Sequence, residues 1–168
     1  MPFHIVWVGT VKDTRTNILM CSVGGVPVRI EASNLAALGK SPDRNWTTIP
    51  ESMGGGYAGY PEVFHQLHCL NTVRMATFPD LYANHTLFAD HPSHIVREHI
   101  NHCIEIIRLQ LQCNAEMTPI LTENLPGRLF PVPDFEVIHV CKNFDELRAW
   151  TKDHLLHGVG GWDIPEEH

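Results

Sequence analysis

The sequence predicts an α+β fold with a short N-terminal β-rich segment, two packed helices, and a C-terminal strand and helix. Three observations support this prediction. Short β-prone runs separated by turn residues occupy residues 3–31, and apolar residues recur at helical spacing over 61–78 and 93–113. An alternating run at 135–141 then precedes a last helical pattern. The 168-residue length favours one domain spanning residues 1–168.

The first 40 residues form the β-rich segment. Residues 4–8, 18–23 and 26–30 are rich in β-branched and other apolar side chains, and turn residues separate them, so we expect short strands there. Residues 40–60 hold three consecutive glycines and several other turn-forming residues. We expect a loop without regular structure in that stretch.

Two helices follow the loop. Pro61 suits the first turn of a helix that continues until Phe78 and Pro79. After a polar, interrupted connection, Ser93 can cap a second helix that persists to about Cys113. The apolar positions of this second helix are Ile95, Ile100, Ile104, Ile107 and Leu111.

The C-terminal part begins with a long irregular segment. Residues 118–134 contain four prolines, and we expect a loop that could serve as a lid or a substrate-binding loop. Residues 135–141 alternate as a strand does. Asn143 and Glu146 are spaced as a capping box, which predicts a last helix through about His157.

Composition excludes two classes of partner. The formal net charge of −7 lacks the basic surface expected of a nucleic-acid-binding protein. No apolar run approaches the ~18 residues of a membrane span, so we expect a soluble chain. The sequence leaves the cytoplasm and the lumen of the secretory pathway open as locations, because five cysteines cannot all pair.

The pattern His-x-x-His-Cys occurs twice. It places His65 and His68 on the first predicted helix and His99 and His102 on the second. Residues three and four apart share one face of a helix, so each helix offers two imidazoles to one point. Two helices packed side by side would bring the four imidazoles together, as in metal sites built inside helix bundles. We therefore predict that these four histidines bind a metal.

The residues alone leave the metal and several alternatives open. Imidazole suits zinc, copper, iron and nickel, and thiolates would favour Zn or Cu(I). A single histidine on a helix face is more often an ordinary hydrogen-bonded residue, and a metal-free acid–base or packing role also fits. His91 and His94 are candidate additional ligands. We assign the other histidines to loop or surface positions: His4, His85, His154, His157 and His168.

The cysteines follow the same geometry. Cys69 and Cys103 each come directly after the second histidine of a motif, so converging helices would bring the two sulfurs into disulfide range. The alternatives are thiolate ligands and inert buried thiols. Cys113 and Cys141 could form a second pair, which would leave Cys21 alone.

Three segments carry a resemblance to a known family: PEVFHQLHCLNTVR, HINHCIEIIRLQLQCNAEMT and HVCKNFDELRAW. In this order they resemble the UstYa-like family of fungal mycotoxin biosynthesis proteins, over about residues 57–152. Residues 1–40 diverge from the usual N-terminal region of that family, in which a membrane anchor precedes a short linker.

The resemblance implies a function. Members of the family are implicated in oxidative cyclisation, hydroxylation, dehydrogenation or halogenation of peptides and related small molecules, with copper as the proposed metal. The resemblance implies that His65, His68, His99 and His102 bind one or two copper ions and are also catalytic. Zinc is the alternative metal. His139 lies in a family-like His-Val-Cys element and is a further candidate ligand. Glu116 stands where the family more often has Asp and is a candidate acid or base.

The sequence also leads to expectations about partners and leaves two competing functions open. We expect a small-molecule or peptide substrate and a homo-oligomer or a hetero-oligomer with a related protein. One competing function is a non-redox cyclase or isomerase that uses the histidines for acid–base catalysis. The other is a binding or structural module in which zinc joins the two helices.

Overall fold

The structure is a computed structural model that describes residues 3–7, 27–135 and 138–159, with the backbone alone at 3–7 and Ile138. Its helices are α1 (Glu62–Ala76), α2 (Pro79–Tyr82), α3 (Thr86–Ala89), α4 (Ser93–Asn114) and α5 (Phe144–Asp153). Its strands are β1 (Phe3–Trp7), β2 (Val28–Ile30), β3 (Tyr57–Gly59), β4 (Thr122–Glu123), β5 (Val132–Pro133) and β6 (Ile138–Lys142). The mixture confirms the α+β prediction.

Helices α1 and α4 pack against each other and form the centre of the described structure. Five side chains of these two helices are buried, which are Phe64, Cys69, Thr72, Met75 and Cys103. Prolines fix the ends of the helices, because Pro61 and Pro92 occupy the N-cap positions and Pro79 starts the next helix after α1. The prediction of two packed, motif-bearing helices is confirmed. Ser93 is the first helical residue and makes no capping hydrogen bond, so its predicted capping role is wrong.

The apolar face predicted for α4 differs from the observed one. Ile95, Ile104 and Leu111 are 41%, 49% and 69% exposed, whereas Cys103 is completely buried. Residue 104 lies about 100° around the helix from residue 103 and residue 111 lies near 104, whereas residue 95 lies about 80° from 103 on the other side. Of the five predicted positions, Ile100 and Ile107 are half-buried on the side of Cys103, and Ile95, Ile104 and Leu111 are not on the packed face.

The strands form three two-stranded antiparallel sheets within the described residues. Strand β1 pairs with β6, so the N-terminal and C-terminal parts of the chain meet, with Phe3 opposite Lys142. Strand β2 pairs with β3, which lies inside the segment 40–60 where we predicted no regular structure. That prediction is wrong because glycines allow the close approach: a Cβ at Gly56 would lie 2.6 Å from the Ile30 carbonyl oxygen. The predicted strand at 18–23 lies outside the described residues.

The connections also contain more structure than predicted. The polar segment before α4 forms α2 and α3, each a single turn. The loop 118–134 folds back on itself through the β4–β5 pair, with Thr122 opposite Pro133. Among the helices in the described ranges, none is long and apolar enough to cross a bilayer.

The C-terminal helix α5 begins as predicted. The Asn143 side chain accepts a hydrogen bond from the Glu146 backbone N–H at 3.1 Å. The helix ends at Asp153, earlier than predicted, because Leu155 forms a backbone bridge with Val28 and takes the chain out of the helix. Its first residue, Phe144, places its ring 5.9 Å from that of Phe64, which docks α5 against α1.

Candidate metal centre

The two helices cross so that the four motif histidines form two pairs. His65 on α1 faces His102 on α4, with ring centroids 5.4 Å apart. His68, one turn further along α1, faces His99, with centroids 5.7 Å apart. The later residue on α1 meets the earlier one on α4, so the two helices run antiparallel. The structure brings the four imidazoles together as two facing pairs, and their binding of a metal stays a prediction.

The first donor cluster consists of His65, Cys69 and His102. One nitrogen or sulfur from each lies within 4.8 Å of the others. The Nε2 atoms of the two histidines are 3.4 Å apart, and Cys69 Sγ lies 3.6 Å from His65 Nε2. Two nitrogen ligands of a tetrahedral ion lie about 3.3 Å apart, and a nitrogen and a sulfur ligand about 3.5 Å. These two separations match those of ligands around one tetrahedral ion, and the third, between Cys69 and His102, is within 4.8 Å.

Access to this cluster comes from one side. Cys69 is completely buried, His65 is half-buried and His102 is exposed. The cluster is thus a shallow site whose floor is the thiol and whose open side faces solvent. Three protein donors with an open position are typical of catalytic metal sites, whereas structural sites are closed by four.

Glu62 orients His65. Its Oε1 lies 3.4 Å from His65 Nδ1, one helical turn before it on α1. Because the carboxylate contacts Nδ1, the other ring nitrogen, Nε2, is directed at the cluster. In known metal sites a carboxylate at the non-ligating nitrogen orients a histidine ligand in the same way. Glu62 was not predicted from the sequence, although a residue three positions before a candidate histidine ligand lies beside it on the same helix face.

Cys69 and Cys103 meet at the helix interface. Both are completely buried free thiols, and they contact each other through a sulfur hydrogen bond. Burial, together with that hydrogen bond, raises the pKa of the Cys69 thiol to about 12. The contact confirms that the helices bring the two cysteines together. The disulfide between them stays a prediction, as does the one between Cys113 and Cys141, which are also free thiols.

The second histidine pair resembles the first in exposure, because His68 is exposed and His99 is half-buried. Burial lowers the pKa of both imidazoles, and repulsion from neighbouring histidines adds to it. For His99 these neighbours include His91, one of the candidate additional ligands. His91 also lines a cavity together with His68, so it stands beside the second pair. Neutral imidazole is the form that binds metal, and both shifts favour it.

The two pairs lie close enough to act together. His65 and His68 are three residues apart on α1, which corresponds to about 4.5 Å along the helix axis. Metal ions in dinuclear sites stand about 3.5–4 Å apart. The arrangement can therefore hold either one ion or a neighbouring pair.

Glu116 and His139 form a contact of their own. Glu116 Oε2 lies 3.7 Å from His139 Nδ1, and Oε1 accepts hydrogen bonds from the backbone and hydroxyl of Thr118. These bonds from Thr118, with a smaller effect of His139, lower the pKa of Glu116. In the part of the chain that the structure describes, no hydrogen bond or ring contact joins this pair to the motif histidines. Their catalytic and metal-binding roles stay predictions.

The remaining histidines lie mostly where predicted. His154 is exposed and stacks on Trp150, with centroids 4.2 Å apart. His85 caps α3 through Nδ1, and His94 is exposed on the first turn of α4. His4 and His168 lie outside the described side chains.

A protein-family model matches the part of the chain that carries both motifs. The family model described as "Mycotoxin biosynthesis protein UstYa" matches residues 22–154, a range that contains both motifs and the five helices α1 to α5. No solved structure matches the chain.

Curated fungal proteins are also similar. The UstYa family oxidase phomYc of Diaporthe leptostromiformis is 36% identical over 124 residues, covering 72% of this chain and 48% of phomYc. The transacylase cctO of Talaromyces islandicus is 33% identical over 133 residues, covering 71% of this chain and 43% of cctO. The UstYa family oxidase VicYc of Bipolaris victoriae is 36% identical over 92 residues, covering 54% of this chain and 84% of VicYc.

This chain thus spans less than half the length of phomYc and cctO and most of the length of VicYc. The family match extends over the duplicated motif, the helices that carry it and the strand and helix that follow. The chain belongs to the UstYa family of mycotoxin biosynthesis proteins.

Proposed function

We propose that the chain is a copper-dependent oxidase that modifies a fungal secondary metabolite. The observation that carries the proposal is the crossed arrangement of the histidine pairs, with three donors of one cluster within 4.8 Å of one another. Similarity to proteins named UstYa family oxidases supports an oxidative role.

The donor set fits copper. Imidazole nitrogen and cysteine sulfur are ligands that copper accepts in both of its common oxidation states. Bound copper would supply one-electron redox chemistry with dioxygen, which a protein side chain alone does not provide. Zinc fits the same distances, but an open cluster with three donors favours catalysis over the closed site of a structural zinc.

The side chains of this chain would prepare the site. Glu62 holds His65 through Nδ1, so that Nε2 is directed at the cluster. The packing of α1 on α4 holds His102 opposite, because Cys69 and Cys103 between them are completely buried. The exposed side of His102 leaves room for a substrate, which we propose is a peptide or a related small molecule.

The reaction would be hydrogen abstraction followed by cyclisation, hydroxylation, dehydrogenation or halogenation. Glu116, whose lowered pKa keeps it ionised, is the proposed proton acceptor together with its contact His139. In the described part of the chain neither contacts the motif histidines, so a substrate would have to extend beyond the metal ligands to reach them. We propose that it works as a homo-oligomer or with a related protein.

A second candidate function is acyl transfer through Cys69. Similarity to a protein named transacylase favours it, and so does the order of contacts from Glu62 to His65 to Cys69, at 3.4 and 3.6 Å. Such a chain of contacts would activate a thiol nucleophile. However, Cys69 is completely buried, and without a metal its pKa of about 12 keeps the thiol protonated, whereas a bound metal would displace that proton. This argues for the oxidase.

The experiment that separates these functions is a comparison of metals. Metal-free chain is loaded with copper or with zinc, and dioxygen uptake is followed with ascorbate as electron donor. The oxidase proposal predicts uptake by the copper form that greatly exceeds that of the zinc form and of His102→Ala loaded with copper. Equal uptake by all three would reject it. A non-redox cyclase, an acyl transferase or a zinc-joined module predicts no copper-specific uptake.

A further inference from the structure

A cavity of about 350 Å³ opens beside the second histidine pair. Its wall on one side comes from α1, through His68 and Met75, and on the other from the connection before α4, through His85, Asp90 and His91. The cavity therefore begins at a candidate metal ligand and extends away from it. Its volume lies at the lower end of the range for small-molecule sites, which suits one ring or a short chain.

The one fixed charge in the described cavity lining, which also contains His68, His85 and His91, is negative. Among the described residues that line it, Asp90 carries the one carboxylate, and neither Lys nor Arg is present. The formal net charge of −7 adds a weak attraction for cations. A cationic group is thus favoured at this end of the cavity, and an anionic group is disfavoured.

The other walls offer apolar contact and one directed donor. Met75 and Leu87 supply apolar surface, and Met75 also lines a second, apolar cavity of about 270 Å³. A methionine sulfur makes favourable contacts with aromatic rings. His85 accepts the Leu87 backbone N–H at Nδ1, so the proton of its neutral ring is on Nε2, where it can donate to a ligand oxygen.

We propose that this cavity is the substrate-binding site and that it takes a compact aromatic or apolar group bearing a positive charge, such as an amine. Asp90 pairs with the cation, Met75 contacts the ring, and His85 donates to a substrate oxygen. The inference rests on the proposed function, because it is His68 at the cavity wall that would bring the substrate to the metal.

The test measures binding of three matched probes to the 168-residue chain as purified, by isothermal titration calorimetry. Tyramine, p-cresol and 4-hydroxyphenylacetate share a phenol ring and differ in carrying a positive, no or a negative charge. We expect tyramine to bind about 2- to 5-fold more tightly than p-cresol, as for a solvent-accessible ion pair, and the acid to bind most weakly. Asp90→Asn should abolish this order.

Asp80→Asn is the matched control, because Asp80 is an exposed carboxylate on α2 that does not line the cavity. It should preserve the order of the three probes. Equal affinities in the unaltered chain, a preference that survives Asp90→Asn, or no binding of any probe at millimolar concentration would each overturn the inference.

Copper content of the same preparation separates this inference from the proposed function. A chain that binds copper but shows no preference for tyramine contradicts the substrate class alone. A chain that prefers tyramine through Asp90 but binds no copper supports the cavity as a site for cations and contradicts its place in an oxidase.

Discussion

Removing one histidine from each pair should show how many metal ions the site holds. His102→Ala removes one of three donors from the first donor cluster, and His68→Ala removes one member of the second pair. Loss of a residue that merely supports a ligand lowers metal affinity 10- to 100-fold. Loss of a ligand should therefore lower it by at least about 100-fold, and we expect activity to be abolished in both variants.

Bound copper per chain, measured by mass spectrometry of the metal after gel filtration, gives the answer. If each pair holds its own ion, either substitution should reduce two ions to one. If the four histidines share a single ion, either substitution should reduce one to none. His154→Ala, which removes an exposed ring stacked on Trp150, should leave the metal content unchanged. Unaltered metal content in both His102→Ala and His68→Ala would refute the shared centre.

Three further predictions concern stability and thiol access. Thr72 is completely buried and its hydroxyl has no hydrogen-bond partner, so Thr72→Val should raise the free energy of unfolding by about 1 kcal/mol or more; thermal denaturation should show a rise of about 2–4 °C per kcal/mol. Ala115, at the C-terminal end of α4, has a positive φ of 38°, a conformation that glycine adopts more readily than alanine. Ala115→Gly should therefore raise the free energy of unfolding by about 0.5–1 kcal/mol. In the folded protein a maleimide should label exposed Cys113 quickly and buried Cys69 and Cys103 only after unfolding.

Matched variants control these predictions. The Thr77 hydroxyl is exposed and donates to the Arg74 carbonyl at 2.7 Å, so Thr77→Val should not stabilise. Ala149 is exposed inside α5, and Ala149→Gly should destabilise by about 0.5–1 kcal/mol. A destabilised Thr72→Val would show that the hydroxyl has a partner, and a destabilised Ala115→Gly would contradict the left-handed end of α4. Rapid labelling of all three thiols would contradict the packed interface.

The sequence predicted the helices well because prolines mark their ends. Pro61, Pro79 and Pro92 restrict the backbone locally, so the limits of α1 and α4 follow from a few residues. Strand β3 was not predicted because the glycines in and before it favour a loop. Its pairing with β2 depends on contacts between residues that are distant in sequence. The buried face of α4 was predicted only in part, because isoleucines occur on both its half-buried and its exposed sides.

The candidate site could be predicted as a set of residues but not as an arrangement. Helical spacing places His65 with His68 and His99 with His102, and in the structure the four rings form two facing pairs across the contact between the helices. Which histidine faces which depends on how far one helix is shifted along the other, and side-chain spacing within a helix does not define that shift. Asp90 lies in a polar connection without periodicity, so nothing in the sequence singled it out as a cavity residue.

The most direct test of the copper centre is metal quantification on the chain purified without added metal or chelator, combined with an electron paramagnetic resonance spectrum. We predict copper at one or two ions per chain. One ion should give a Cu(II) signal, and two neighbouring ions that couple should give little signal. Stoichiometric zinc, or no bound metal together with full activity, would contradict the account.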